Sequence, residues 1–410
     1  MTVNQNTRLS DKDHFKSSSK EAICDIFSNT CEKFIKRENG KIKIWAASQD
    51  WFMEEWGRDT FISLPGLLLS RGLLEEAKDV FLRVAKQEKR GLIPNRIKLD
   101  KISYNTTDAS LWFIAALEKY FAIKNDRVFK KKILKTVRNI VKNYQKGTGY
   151  ERFGYWQEIK MDKDGLISSP PQSTWMDADP SREGTAIITP RDGKCVEINA
   201  LWYSALCFAS NLEQEIGDKP LAREWQALAR KVRKSFNEKF WNDGESCLLD
   251  VIEGDPHSGA LRPNQIIAVS HGKKLLTKVR KKQVFEAVTK DLLTSGGLRT
   301  LSPRDSNYKG TYSTQDPISI KDQAYHQGTV WPWLMGPYCD SLTVVALDEG
   351  QSKEEIKTAM QKVLNPLVGF CLESEFKSLP EVFSGNFPHE PGGTRSQAWS
   401  VGEVFRVLNC

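Results

Sequence analysis

The chain has 410 residues and a formal net charge of +8, with 40% apolar and 27% charged residues. That length can bury a sizeable core as one large domain or as two to three ordinary ones, and the composition is that of a soluble globular protein. No run of about 18 apolar residues is present, which excludes a membrane-spanning helix. Eight scattered cysteines form no CxxC pair and no Cys/His cluster, which argues against a zinc site and a disulfide framework and for a reducing, cytoplasmic setting.

The first 18 residues are polar, carry acidic groups and lack the apolar stretch of a secretory signal, so they read as a disordered leader before a single domain over residues 19–410. From there two kinds of segment alternate. Amphipathic, charged segments cover residues 19–37, 74–89, 125–146, 219–240, 279–293 and 353–372, and predict outer helices. More apolar segments cover residues 59–72, 107–122, 197–213, 263–271, 323–347 and 395–408, and predict inner helices. No long Val/Ile/Thr strand pattern competes with them. Six outer and six inner helices in alternation predict an all-α fold, a six-hairpin toroid with the apolar helices in the inner ring. The lysine runs after Val128 and Gly272 keep helical apolar spacing, so they read as solvated helix faces; without aromatic interleaving they do not predict nucleic-acid binding.

Polar and indole side chains recur at the starts of the inner helices. In chain order these are Trp56, Arg58 and Asp59; Asn105, Asp108 and Trp112; Glu197, Asn199 and Trp202; Asn264 and Gln265; His326, Gln327 and Trp331; and Gln397 and Trp399. A single Trp at helical spacing is more often core than ligand contact, and an Asp or Asn at a helix start is often only a cap. Recurrence in pair after pair points instead to one pocket at the mouth of the ring. Many placed donors and acceptors beside aromatic faces suit a sugar, whose hydroxyls need hydrogen bonds and whose C–H surface needs cover.

Hydrolysis of a glycosidic bond needs a protonated acid at the leaving oxygen and a second carboxylate. Residues 147–196 and 294–322 are poorly periodic and rich in Gly, Pro, Ser and Asp, as expected of functional loops. Asp177 follows Trp175 and Met176, which are placed to exclude water and raise the acid's pKa; Asp179 is a competitor. Glu381 stands between Pro380 and an apolar pair in a Pro- and Gly-rich stretch before the last inner helix. The chain has no HExxH, GxSxG or GxxxxGK[ST] motif, which leaves paired carboxylates without metal or cofactor as the chemistry that fits.

Several segments resemble the amylo-α-1,6-glucosidase domain of glycogen debranching enzymes: EEWGRDTFISLPGLLLSRG from Glu54, YNTTDASLWF from Tyr104, STWMDA from Ser173, TPRDGKCVEINALWYSAL from Thr189, AYHQGTVWPWLMGPY from Ala324, LPEVFSGNFPHEPGG from Leu379 and SQAWSVGEVFR from Ser396. The resemblance implies an (α/α)6 barrel and an inverting attack that releases the single glucose left at a glycogen or limit-dextrin branch point. It implies Asp177 as general acid, Glu381 as general base, and Trp56, Arg58 and Asp59 as the grip on the terminal glucose. Relatives carry a further N-terminal domain, so glucosidase activity is expected alongside a separate glucanotransferase. The rival readings are a glucoamylase- or trehalase-like barrel hydrolase and a glucan-binding scaffold without turnover.

Overall fold

The structure, a computed structural model, describes residues 13–48, 54–98, 101–179, 181, 187–272 and 274–408. The six charged segments form the outer helices α1 (Lys20–Glu32), α3 (Leu74–Ala85), α5 (Arg127–Lys146), α7 (Lys219–Lys239), α9 (Lys278–Leu292) and α11 (Lys353–Glu373). The apolar segments form α2 (Gly57–Leu67), α4 (Ala109–Ile123), α6 (Val196–Ile216), α8 (Ile266–Ser270), α10 (Met335–Asp348) and α12 (Ala398–Leu408).

The outer helices show why they form. In α5, Phe129, Ile133, Val137, Ile140 and Tyr144 recur every three or four residues and are buried. Asp126 accepts the Phe129 N–H at its start. Ser19, Asp218, Thr277 and Ser352 cap α1, α7, α9 and α11 in the same way. No side chain caps α2, α4, α6, α8 or α10. Their positive dipole ends favour acidic neighbours, here Asp59 and Glu197 in the first turns.

Each inner helix packs on the next, α2 on α4, α4 on α6, α6 on α8, α8 on α10 and α10 on α12; α12 then returns to α2, closing the ring. That last contact brings two backbones close together. A Cβ at Gly66 in α2 would lie 1.8 Å from the Gly402 carbonyl oxygen in α12.

The structure departs from the sequence reading at four places. The outer segment 19–37 stops at Glu32, and Ile35–Glu38 pairs with Lys41–Ile44 as an antiparallel ribbon. The inner segment 323–347 is broken: a helix Ile318–Tyr325 ends, Val330–Trp331 is extended, a 3-10 turn Pro332–Leu334 follows, and only then α10 begins. Gly328 at φ +156 and Trp331, extended ahead of Pro332, mark that break. The stretch 147–196 holds an antiparallel hairpin, Thr148–Arg152 with Tyr155–Met161. Finally, the predicted leader covers residues 1–18, of which 1–12 lie outside the described residues. His14–Ser17 forms a short helix whose first N–H donates to Asn365 Oδ1 at 2.8 Å, and buried His14 lies against Gly369 of α11.

Candidate active site

Short antiparallel sheets lie at the N-terminal ends of the inner helices and carry site residues with them. Glu55–Trp56 pairs with Arg96–Ile97, which sets Trp56 just before α2. Val330–Trp331 pairs with Gly297–Arg299 and Val382–Phe383, which sets Trp331 beside the strand that follows Glu381. Between these ends lies a cavity of about 270 Å³. Of the residues singled out in the sequence, Trp56, Arg58, Asp59, Trp175, Asp177, Trp331, Glu381, Gln397 and Trp399 line it.

Arg58 is buried, and its Nη1 donates to Asp177 Oδ2 at 3.0 Å and to the Thr174 carbonyl at 3.2 Å, while Nε lies 3.4 Å from Asp59 Oδ2. Burial opposes the Arg58 charge, but Asp177, Asp108 and Asp59 outweigh it and raise its pKa. The apolar enclosure expected around Asp177 is not there. Trp175 and Met176 are buried, with the Trp175 indole N–H donated to Asn264 Oδ1 at 2.7 Å, whereas Asp177 is about a quarter exposed and ion-paired. Asp179 turns away from the cavity and accepts the backbone N–H and hydroxyl of Ser181.

Glu381 is partly exposed to the cavity, and burial of its surroundings pushes it from 4.5 up to about 7, against the hydrogen bonds it accepts from the Tyr325 hydroxyl and the Thr394 N–H. Asp59 rises to about 6 and Asp108 to about 7, in both cases by burial first, with Arg58 pulling the other way. Asp177 is among the charges acting on Glu381, as expected of two acids on one cavity. Trp331 spends its indole N–H on the Tyr325 carbonyl and the Thr329 hydroxyl, so it offers the cavity carbon surface. It packs edge to face with Trp175 at 5.3 Å and Trp399 at 5.6 Å. The Trp399 indole N–H has no hydrogen-bond partner among the described residues, which leaves it for a ligand hydroxyl.

The other candidates stand outside the cavity wall. Asn105 and Asp108 precede α4, with Asp108 close enough for its charge to act on Arg58. Trp112 lies within the ring against His271 and Trp333. Glu197 is fully engaged with Arg191, and Asn199 ties Ile167 to Cys195 through backbone groups. His326 is buried between Trp175 and Trp331 and kept neutral by burial, and Gln327 accepts from Arg262 at 2.5 Å. The positions passed over are Tyr325, Thr394 and Ala46. Tyr325 had a signal, since it adjoins His326 and ends a short amphipathic run; Thr394 and Ala46 had none.

Residues 28–406 match a protein family described as amylo-alpha-1,6-glucosidase. The chain belongs to this family. A glycogen debranching enzyme of Saccharomyces cerevisiae is 28% identical, in an alignment covering 70% of this chain and 24% of that protein, so the chain spans about a quarter of that relative's length. Among solved structures, a family GH78 rhamnosidase of Bacillus sp. GL1 superposes with a TM-score of 0.61 at 14% identity, over 94% of this chain and 34% of the other. A structure titled Glycosidase E178A gives 0.62 at 14% identity, over 95% of this chain and 96% of that one. Family membership makes the chain a glycoside hydrolase, and the structural likenesses show the shared helix-rich fold. No described helix is long and apolar enough to cross a membrane.

Proposed function

We propose that the chain is an (α/α)6-barrel amylo-α-1,6-glucosidase, one domain in its described part, that releases glucose from α-1,6 branch points of a glycogen-type glucan with inversion. The observation carrying this reading is that Asp177 and Glu381, on loops 204 residues apart, line one small cavity with four indoles and Arg58. At about 270 Å³ the cavity is at the low end of ligand sites, roughly 300–1,000 Å³, and so fits one sugar ring better than several. The terminal glucose is held by Arg58, Asp59 and the Trp56 and Trp399 rings. Asp177 gives its proton to the leaving O6, and Glu381 takes one from the attacking water. A base with a pKa near 7 is matched to work at neutral pH. A separate glucanotransferase supplies the single-glucose branches.

One observation favours a second reading with the two roles exchanged: Glu381 is raised to about 7 and so holds its proton near neutrality, whereas Asp177 is ion-paired with Arg58. α-Glucosyl fluoride decides between them, since fluoride departs with little help from an acid. With Asp177→Asn, hydrolysis of the fluoride is retained while cleavage of a 6-O-glucosyl dextrin falls about 10²–10⁴-fold; with Glu381→Gln both are lost. The opposite pattern exchanges the roles. NMR of the fresh hydrolysate showing β-glucose as first product supports inversion, and α-glucose refutes it. Faster release from α-1,4 chain ends or trehalose than from the branch point would assign another substrate.

A further inference from the structure

The hairpin Thr148–Arg152/Tyr155–Met161 has an exposed tip that the catalytic cavity does not use. Phe153 is 46% exposed and Tyr155 73%. Phe153 stands at φ +53 and Gly154 at φ +80 in the two-residue connection, a geometry that favours Asn-Gly and in which a bulky aromatic is strained. An aromatic ring kept in a strained turn and half exposed, with only the Arg152 guanidinium over it at 4.8 Å, is costly for the fold and calls for a use.

The hairpin stands at the mouth of the ring. Tyr144 near the end of α5 donates to the Thr107 carbonyl just before α4, and Thr148 donates to the Arg90 carbonyl, so the hairpin rises from the end where the inner helices begin. Its cross-strand pairs define one face: Thr148 with Ile159, Tyr150 with Gln157, Arg152 with Tyr155. At the base of that face Thr148, Ile159 and Tyr150 are buried, and at the tip Tyr155 is open. Arg152 donates to the Gln172 carbonyl at 3.1 Å, and Gln172 in turn donates to the Ala178 carbonyl at 3.0 Å. The face bearing Tyr155 is thus hydrogen-bonded to the loop that carries Asp177.

We propose that Phe153 and Tyr155 form an outer subsite that receives the α-1,4-linked glucan chain on the leaving-group side of the scissile bond. This rests on the reading of Asp177 as the acid: the acid touches the leaving oxygen, so the chain attached to that oxygen departs on the Asp177 side, where the hairpin stands. A helical glucan chain presents apolar C–H faces, and two exposed rings with an arginine beside them suit such a surface.

The test is the full chain with Phe153→Asn and Tyr155→Ser together. Asn is at home at positive φ, so the turn is relieved rather than broken. The expected result is a roughly tenfold or larger rise in KM for limit dextrin, with kcat/KM for α-glucosyl fluoride, too small to reach the hairpin, held at the wild-type value. Unchanged KM on limit dextrin overturns the proposal, as does an equal loss on both substrates. Maltoheptaose binding by calorimetry separates this proposal from the functional reading. Binding that the double variant weakens, in a chain that releases no glucose from branch points, rejects the α-1,6 assignment and keeps the subsite; binding that it leaves intact rejects the subsite.

Discussion

Gly393 sits at φ +67, and a Cβ there would lie 2.2 Å from Glu381 Oε2. Glycine is required twice over, for the backbone and for the space. Gly393→Ala is expected to push the carboxylate off its Tyr325 and Thr394 donors; a displacement of about 1 Å costs on the order of 10²-fold in kcat. Wild-type kcat for this variant would show the carboxylate free to work elsewhere. Glu381 also sets a pH dependence. If it is the base proposed above it must be ionised, so kcat/KM for α-glucosyl fluoride, which needs little help from an acid, should rise about tenfold per unit below pH 7 and level off above it. The linked stability runs the other way. A carboxyl raised from 4.5 to about 7 on folding contributes stability that is complete below about pH 4.5 and lost as pH rises through 7. Glu381→Gln should therefore raise the melting temperature at pH 8 and leave it nearly unchanged at pH 4. At this scale the sequence was legible where chemistry is written in side-chain type, as at Trp56, Arg58, Asp177 and Trp399. It was not legible where a group contributes through its position alone, as with Gly393 and the Thr394 N–H.

The Asp177 loop is held by an element the sequence marked only in pieces. Arg191 is buried, donating to Glu197 through both Nη atoms, to Asp250, and to the Thr174 hydroxyl at 3.0 Å, three residues from Asp177. Asn264 joins Asp250 to Trp175. Glu197 and Asn264, read as sugar contacts, are thus supports for the loop. A helix start facing a pocket and one facing a buried arginine carry the same residue types. Arg191→Met should leave Glu197 buried without its cation and Asp250 with only Arg262 and Asn264, and destabilise the chain by about 3–5 kcal/mol, read as a fall in denaturation midpoint. A shift under about 1 kcal/mol would show the network to be dispensable. Outer helices after the first were legible almost to their ends, because a charged face and an apolar stripe repeat over many turns. Two-residue strands such as Val330–Trp331 have no period to read, and they exist because the tertiary fold brings partners to them.

At the scale of the molecule, the ring depends on its closing contact. Gly66 of α2 and Gly402 of α12 let two backbones meet where any side chain would collide. Gly66→Ala is expected to prevent closure, giving a chain that exposes apolar surface to a hydrophobic dye and melts without cooperativity. A cooperative transition at the wild-type temperature would mean that the ring tolerates a wider seam. The alternation of helix kinds made the six pairs legible, since it is a whole-chain pattern, but the seam was not, because nothing in the spacing of two distant glycines says that they touch.

Asp59 enters the cavity from the first inner helix and Glu381 from the loop leading into the last, so the pocket is an arch whose keystone is the final piece laid. While the polypeptide is still being made, its early hairpins already carry Arg58 and Asp59, yet under the proposed roles no water is activated until the closing helix has docked. Clipping that helix away would silence the enzyme without touching a single residue of the Asp177 loop.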